Sequence, residues 1–166
     1  RNVYLFESYH LYIVDFDKFI AGQLSAIKDN QKLKFVSEML SLLKKRGFNQ
    51  EEAIHYVSVF YQIRRAFYFI NSRLVGCSNS MKRLRMSLWN NIFTHDIFFY
   101  EKYLMSNMED FSTLILGETG SGKGAVANSI GNSGFIGFDD KTGSFSSNFM
   151  NQFISVNLSQ FSEGLL

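Results

Sequence analysis

The octet Gly117–Gly124, GETGSGKG, stands between the apolar run Phe111-Ser112-Thr113-Leu114-Ile115-Leu116 and the helix-forming stretch Ala125-Val126-Ala127-Asn128-Ser129-Ile130. This order predicts a strand, a tight glycine turn and a helix in direct succession. Glycines let consecutive backbone N–H groups converge on one point, the helix N-terminus adds partial positive charge, and Lys123 is spaced to reach terminal phosphates. The expected product is a cradle for the phosphates of a nucleoside triphosphate. Gly117, Gly122 and Lys123 satisfy G-x-x-x-x-G-K, but the Ser or Thr that ordinarily follows, and whose hydroxyl helps hold Mg²⁺, is replaced by Gly124. Glu118 and Thr119 receive no role from spacing alone. The competing reading is a glycine-rich turn with a chance lysine, and the strand-before, helix-after context speaks against it.

With 166 residues, 46% hydrophobic and 19% charged, the chain has enough material for one domain or one and a half and is not of disordered composition. No apolar run approaches the roughly 18 residues of a membrane span, and the N-terminus lacks the pattern of a secretory signal, so a cytoplasmic protein without membrane association is expected. The start at Arg1 and the ending Ser162-Glu163-Gly164-Leu165-Leu166 read as those of an excerpt. The single cysteine, Cys77, excludes an internal disulfide and a cysteine-based zinc site of the usual four-ligand kind. Net charge is +2, spread unevenly: residues 1–73 hold 11 Lys/Arg against 7 Asp/Glu, and 111–166 hold 2 against 4. That imbalance falls short of the concentrated basic face of a nucleic-acid-binding module. Lys44-Lys45-Arg46 reads as a helix C-terminal turn and Arg64-Arg65 as a solvated helix face.

Residues 3–14, VYLFESYHLYIV, are rich in aromatic and β-branched types and are expected as a strand pair or the end of an upstream element. From Asp15 the period becomes helical through Phe16, Ile20, Leu24 and Ile27, with Asp15 or Asp17 as cap. A second helix, 31–46, aligns Leu33, Val36, Leu40 and Leu43 and is closed by Gly47. Asn49 followed by Glu52 signals a capping box for a third helix, whose stripe is Ala53, Tyr56, Val57, Phe60, Ile63, Phe67 and Ile70. These helices predict a small bundle over about 15–72. Its aromatics, with Tyr61, Tyr68 and Phe69, are read as core or a dimer seam rather than a ligand pocket. A fourth helix follows the cap Ser78-Asn79-Ser80, with Met81, Leu84, Leu88 and Ile92 on one side, and a fifth starts at Asp96. Residues 135–145 read as a hairpin-like excursion around Asp139-Asp140-Lys141-Thr142, and 153–157 as a buried strand parallel to 111–116. The run Phe135–Asp140 imitates the acid-tipped strand that positions Mg²⁺ in P-loop ATPases but is read as a surface turn. His10, His55 and His95 are read as structural or solvent-facing.

Three segments together resemble one family. Leu74-Val75-Gly76-Cys77-Ser78-Asn79-Ser80-Met81-Lys82-Arg83-Leu84-Arg85 is similar to the opening of the AAA+ module of sigma-54-dependent transcriptional activators, the bacterial enhancer-binding proteins. Leu114–Lys123 resembles that family's P-loop, worded Gly-Glu-x-Gly-x-Gly-Lys. Phe153–Asn157 followed by Glu163–Leu166 resembles the stretch before the family's GAFTGA loop. Gly124 departs from the family's usual acidic residue, 93–110 reads as an insertion, and 134–150 is longer than usual.

The resemblance implies an α/β P-loop NTPase of the AAA+ kind, cut short at 73–166 and preceded by a small α-helical regulatory or dimerisation region at 1–72. It implies ATP and Mg²⁺ at Gly117, Glu118, Thr119, Gly120, Ser121, Gly122, Lys123 and Gly124, with Leu74, Val75 and Gly76 against the adenine and the metal ligands left open. The partners implied are sigma-54 RNA polymerase, further copies in a ring, and DNA through a C-terminal domain. The second acidic motif, GAFTGA loop and arginine fingers would lie beyond Leu166, so no catalytic residue is assigned and weak ATP binding with little hydrolysis is expected. The alternative is another P-loop NTPase such as a small-molecule kinase, with Asp139 or Asp140 serving the metal.

Overall fold

The computed structural model describes residues 1–25, 33–96, 99–105, 107 and 111–156. Helices α1 (Asn2–Leu11), α2 (Ile13–Leu24) and α3 (Lys34–Lys45) lead into the 24-residue α4 (Gln50–Arg73), followed by α5 (Asn79–Phe93). A π-helical turn (Tyr100–Leu104) precedes the glycine loop, and α6 (Lys123–Gly131) follows it. The hairpin strands β1 (Phe138–Asp139) and β2 (Ser144–Phe145) pair Phe138 with Phe145 and Asp139 with Ser144. A 3₁₀ turn, Phe149–Asn151, comes last.

The expected α/β P-loop core is not present: among the described residues the only sheet is this two-stranded antiparallel hairpin. Residues 111–118 have no regular structure, and Leu114 and Leu116 are both 82% exposed. A strand needs neighbours for its backbone N–H and C=O groups, and among the described residues 111–116 meets none. The proposed parallel neighbour, 153–157, is irregular over 153–156, with Asn157 outside the described residues. The Glu163–Leu166 match and Ile27 lie outside them as well.

The strand pair expected at 3–14 is also corrected. Leu5, Tyr9 and Tyr12 pack against the core that contains Phe16 and Ile20. Their spacing of four, three, four and four is a helical stripe, so helical burial overrides the β preference of aromatic and β-branched residues. Asp17 caps no helix. It takes a two-pronged hydrogen bond from Arg64 of α4, at 2.6 Å on both prongs.

α4 is the spine. Its N-terminus carries the expected capping box, Glu52 N–H to the Asn49 side chain and Asn49 N–H to the Glu52 carboxylate, both 2.9 Å. Gly47 before it has φ +88°, a conformation that only glycine adopts readily, and ends α3 as expected. Phe60, Tyr61 and Phe69 are buried with α2, α3 and the hairpin, whereas Ala66 and Ile70 belong to a second cluster with α5, Tyr100 and Val126 of α6. Phe67, placed on the inward stripe by spacing, is exposed and lies under the Arg64 guanidinium, 4.7 Å away.

A third face of α4 is polar and buried: Ser58, Gln62 and Arg65, spaced four and three. The chain leaving α6 runs along this face. Arg65 donates from Nη1 to Asn132 O (2.9 Å) and from Nη2 to Gly134 O, Gln62 donates to Ser133 O (3.0 Å), and Phe138 N–H donates to Ser58 Oγ (2.9 Å). Backbone groups that a sheet would have paired are thus satisfied by side chains of a helix.

Replacing Arg65 with methionine keeps the bulk but leaves the Asn132 and Gly134 carbonyls unpartnered. The expected loss is about 3 kcal/mol, read as a lower urea midpoint at unchanged slope. Burial also pushes the Tyr61 phenol up to about 12. An unfolded Tyr61 ionises near 10, so the stability it contributes is intact below pH 10 and lost as pH climbs to 12. Burial pulls Arg65 down to about 10, which acts in the opposite sense over the same window. The difference between wild type and Tyr61→Phe isolates the phenol. Between pH 10 and 12 wild type is expected to lose about 2 to 3 kcal/mol relative to the variant in urea titrations followed by circular dichroism.

Candidate phosphate-binding loop

The glycine octet forms a bend stepping into α6. Gly120 (φ +82°) and Gly122 (φ +90°) both occupy the left-handed region, and Gly122 is the N-cap residue of α6. A β-carbon at either position is strained, which accounts for glycine there. The bend is tied by Ser121 N–H to Glu118 O (3.2 Å), and the helix starts with Val126 N–H to Gly122 O (3.1 Å). A β-carbon on Gly117 would fall 2.7 Å from Ser121 Oγ. Gly124, by contrast, has nothing within 4 Å of where a β-carbon would sit. Its glycine is not a steric requirement.

Lys123 turns back over its own loop. Its ammonium donates to Gly117 O (2.8 Å) and Glu118 O (2.7 Å) and so spans the bend from the helix side. The N–H groups of Gly120, Gly122, Lys123 and Gly124 have no protein acceptor among the described residues. They belong to the orphan donors of a helix start and of the turn before it, where the helix dipole contributes about half a positive charge. A cationic side chain, unpaired N–H donors and a glycine bend therefore meet at one exposed place, the combination that attracts anionic oxygen.

The other expected positions divide. Leu74 is 4% exposed, in one apolar cluster with Val126 and with Ile115 from the run before the loop, and Arg85 donates to the carbonyls of Leu74 and Gly76 (2.6 Å to the latter). The structure thus brings Leu74 to the flank of α6 with its side chain enclosed, while Val75 and Gly76 are exposed. Asp139 accepts from Lys141 N–H and Asp140 from Gln50 at the N-terminus of α4. The loop end of α6 packs near Ile70 and Leu74 at the opposite end of that helix. At 1.5 Å per residue, the interval from Gln50 to Ile70 is about 30 Å, so neither carboxylate joins Lys123. Among the described residues no group of three or more His, Cys, Asp or Glu gathers to hold a metal. His55 pairs with Glu101, and His10 lies over Phe6 with Nδ1 2.8 Å from its carbonyl oxygen, in keeping with structural roles.

Gln62, assigned no role from sequence, and Arg65, expected on a solvated helix face, are buried and grip the far end of α6. The signal is spacing: Ser58, Gln62 and Arg65 fall on one face between apolar stripes. No helix among the described residues is long and apolar enough to cross a membrane. No protein-family model matches the chain, and no curated protein or solved structure is significantly similar to it.

Proposed function

We propose that residues 117–124 bind the phosphates of a nucleoside triphosphate, ATP in the first instance, with Mg²⁺. The observation that carries this reading is Lys123 lying across the glycine bend beside the unpaired N–H groups that open α6. Binding exchanges the Gly117 and Glu118 carbonyls at the ammonium for phosphate oxygens, while N–H groups from Thr119 to Gly124 enclose the anion. Without Ser or Thr at 124, the chain supplies no hydroxyl to the metal there, and phosphate and water would hold most of its coordination sphere.

The wording Gly-Glu-x-Gly-x-Gly-Lys supports a wider reading, in which the loop is the ATP-binding part of a cytoplasmic regulator that remodels sigma-54 RNA polymerase. Ring assembly, DNA contact through a further domain and full ATPase activity belong to that wider reading. The helical setting of the loop adds nothing to it. Hydrolysis by this chain alone is expected to be slow, because an arginine finger by itself supplies about three to five decades of rate.

Titration of the chain with ATP and Mg²⁺ tests the narrower reading. Lys123→Ala removes a charge-assisted contact and is expected to weaken binding by about 10- to 100-fold. The lost hydrogen bonds are exposed, so its melting behaviour is expected to stay within about 1 kcal/mol of wild type. Equal ATP affinity in the two proteins would reject the assignment. Gly124→Ser, which the open space at 124 accommodates, is expected to tighten ATP binding in Mg²⁺ and leave it unchanged in excess chelator.

A further inference from the structure

The end of α6 remote from the glycine loop borders a cleft of about 580 Å³, within the size range of small-molecule sites. Ile92 of α5, Met105 after the π-helical turn, Ile130 of α6 and Phe135 give it apolar walls, and among the described residues no charged side chain lines it. Gln62 of α4 and Tyr100 of the π-helical turn, each 1% exposed, stand in its wall, which Ser133 and Gln152 also line. Single π-helical turns recur at binding sites because the wider turn displaces side chains from regular register.

The Gln62 amide is half satisfied. Its nitrogen donates to the Tyr100 hydroxyl oxygen and to Ser133 O, while Oε1 has no hydrogen-bond partner and no contact with bulk water. Rotating the amide to exchange its ends would set Oε1 against the Ser133 carbonyl, acceptor against acceptor, so the orientation is fixed by its neighbours. A buried acceptor left without a donor is destabilising, and a bound donor relieves that. The Tyr100 hydroxyl accepts from Gln62, and its own proton has no acceptor among the described residues. Burial raises the Tyr100 phenol above its ordinary range, so it remains a donor at neutral pH. One acceptor and one donor therefore stand side by side at a cleft with apolar walls and, among the described residues, no charged lining side chain.

We propose that this cleft binds a neutral, flat, mostly apolar heterocycle bearing an adjacent N–H and C=O, as in a lactam. The ligand N–H donates to Gln62 Oε1, reached by a small turn about the soft terminal torsion of that side chain, and the ligand carbonyl accepts from the Tyr100 hydroxyl. Ile92, Ile130 and Phe135 cover its faces. The site lies at the opposite end of α6 from Lys123 and does not depend on phosphate binding.

The test uses the whole chain with 2-quinolone, which carries the N–H/C=O pair, and 1-methyl-2-quinolone, which lacks the donor. Saturable binding of 2-quinolone with shifts of the Met105 and Ile130 methyl resonances is expected, with the methylated compound at least about tenfold weaker. Tyr100→Phe is expected to reduce 2-quinolone affinity by a similar factor, and Lys123→Ala to leave it unchanged. No saturable binding of 2-quinolone to cooperatively folded wild-type protein, or equal binding of the two compounds, overturns the proposal without bearing on the glycine loop.

Discussion

The placement of α6 depends on one buried cation. Among the described residues Arg65 has no carboxylate partner; its guanidinium binds the carbonyls of Asn132 and Gly134 where α6 ends, 4.4 Å from the Tyr61 ring centroid and 5.8 Å from that of Phe149. The arrangement is favourable because a helix C-terminus carries partial negative charge and its last carbonyls lack intrahelical partners. Desolvation opposes it, pulling Arg65 down to about 10, yet the planar fork can meet two carbonyls at once where an ammonium would meet them as a point charge. Because α6 has only nine residues, about 13 Å, fixing one end fixes the direction in which the other end presents its N–H groups.

The same contact explains how a glycine loop of P-loop wording sits on a helical protein. In a sheet the segment after the helix would become a strand and satisfy its backbone on a neighbour. Here 132–138 runs along α4, and Ser58, Gln62 and Arg65 take the place of that neighbour. Three polar side chains can serve a short irregular segment; they cannot propagate a ladder, and regular pairing is limited to the two residues of each hairpin strand. Gly131 belongs to this arrangement: a β-carbon there would strike the ring of Phe153, so the close approach of the later chain to the end of α6 requires glycine.

Local features were legible where the chemistry is local. The Asn49–Glu52 capping box, the Gly47 helix end, the Ser78 cap and the hairpin turn at 139–142 depend on residues within a few positions of one another, and each is present. The glycine bend and the helix after it were legible for the same reason. At 3–14 residue type and period point to different structures: the aromatic and β-branched types favour strand, but Leu5, Tyr9 and Tyr12 continue the stripe of Phe16 and Ile20 backwards by helical steps, and the helix forms. The irregular structure of 111–116 was not legible because strand formation is not a local property: an apolar run states that it prefers burial, not that a partner strand exists. Arg65 was illegible as a core residue because only tertiary structure reveals the two carbonyls that make its burial tolerable.

The two sides of the glycine bend are consequently held unequally. On the helix side, Val126 and Ser129 are buried against α4 and Arg65 fixes the helix end. On the other side, the run 111–116 is anchored through Ile115, while Phe111, Leu114 and Leu116 are exposed. Lys123 links the two from the first residue of α6, hydrogen bonding to the carbonyls of Gly117 and Glu118 beside the Ser121 N–H bond to Glu118 O. An anion that draws the ammonium away therefore removes two of the hydrogen bonds that hold the bend closed and leaves the one from Ser121 N–H to Glu118 O. The anion must itself replace the lost two by accepting from N–H groups on both sides of Gly120. The preorganised part of the cradle is the helix start, whereas closure of the glycine bend is coupled to the bound phosphate and lowers the net affinity by what that ordering costs.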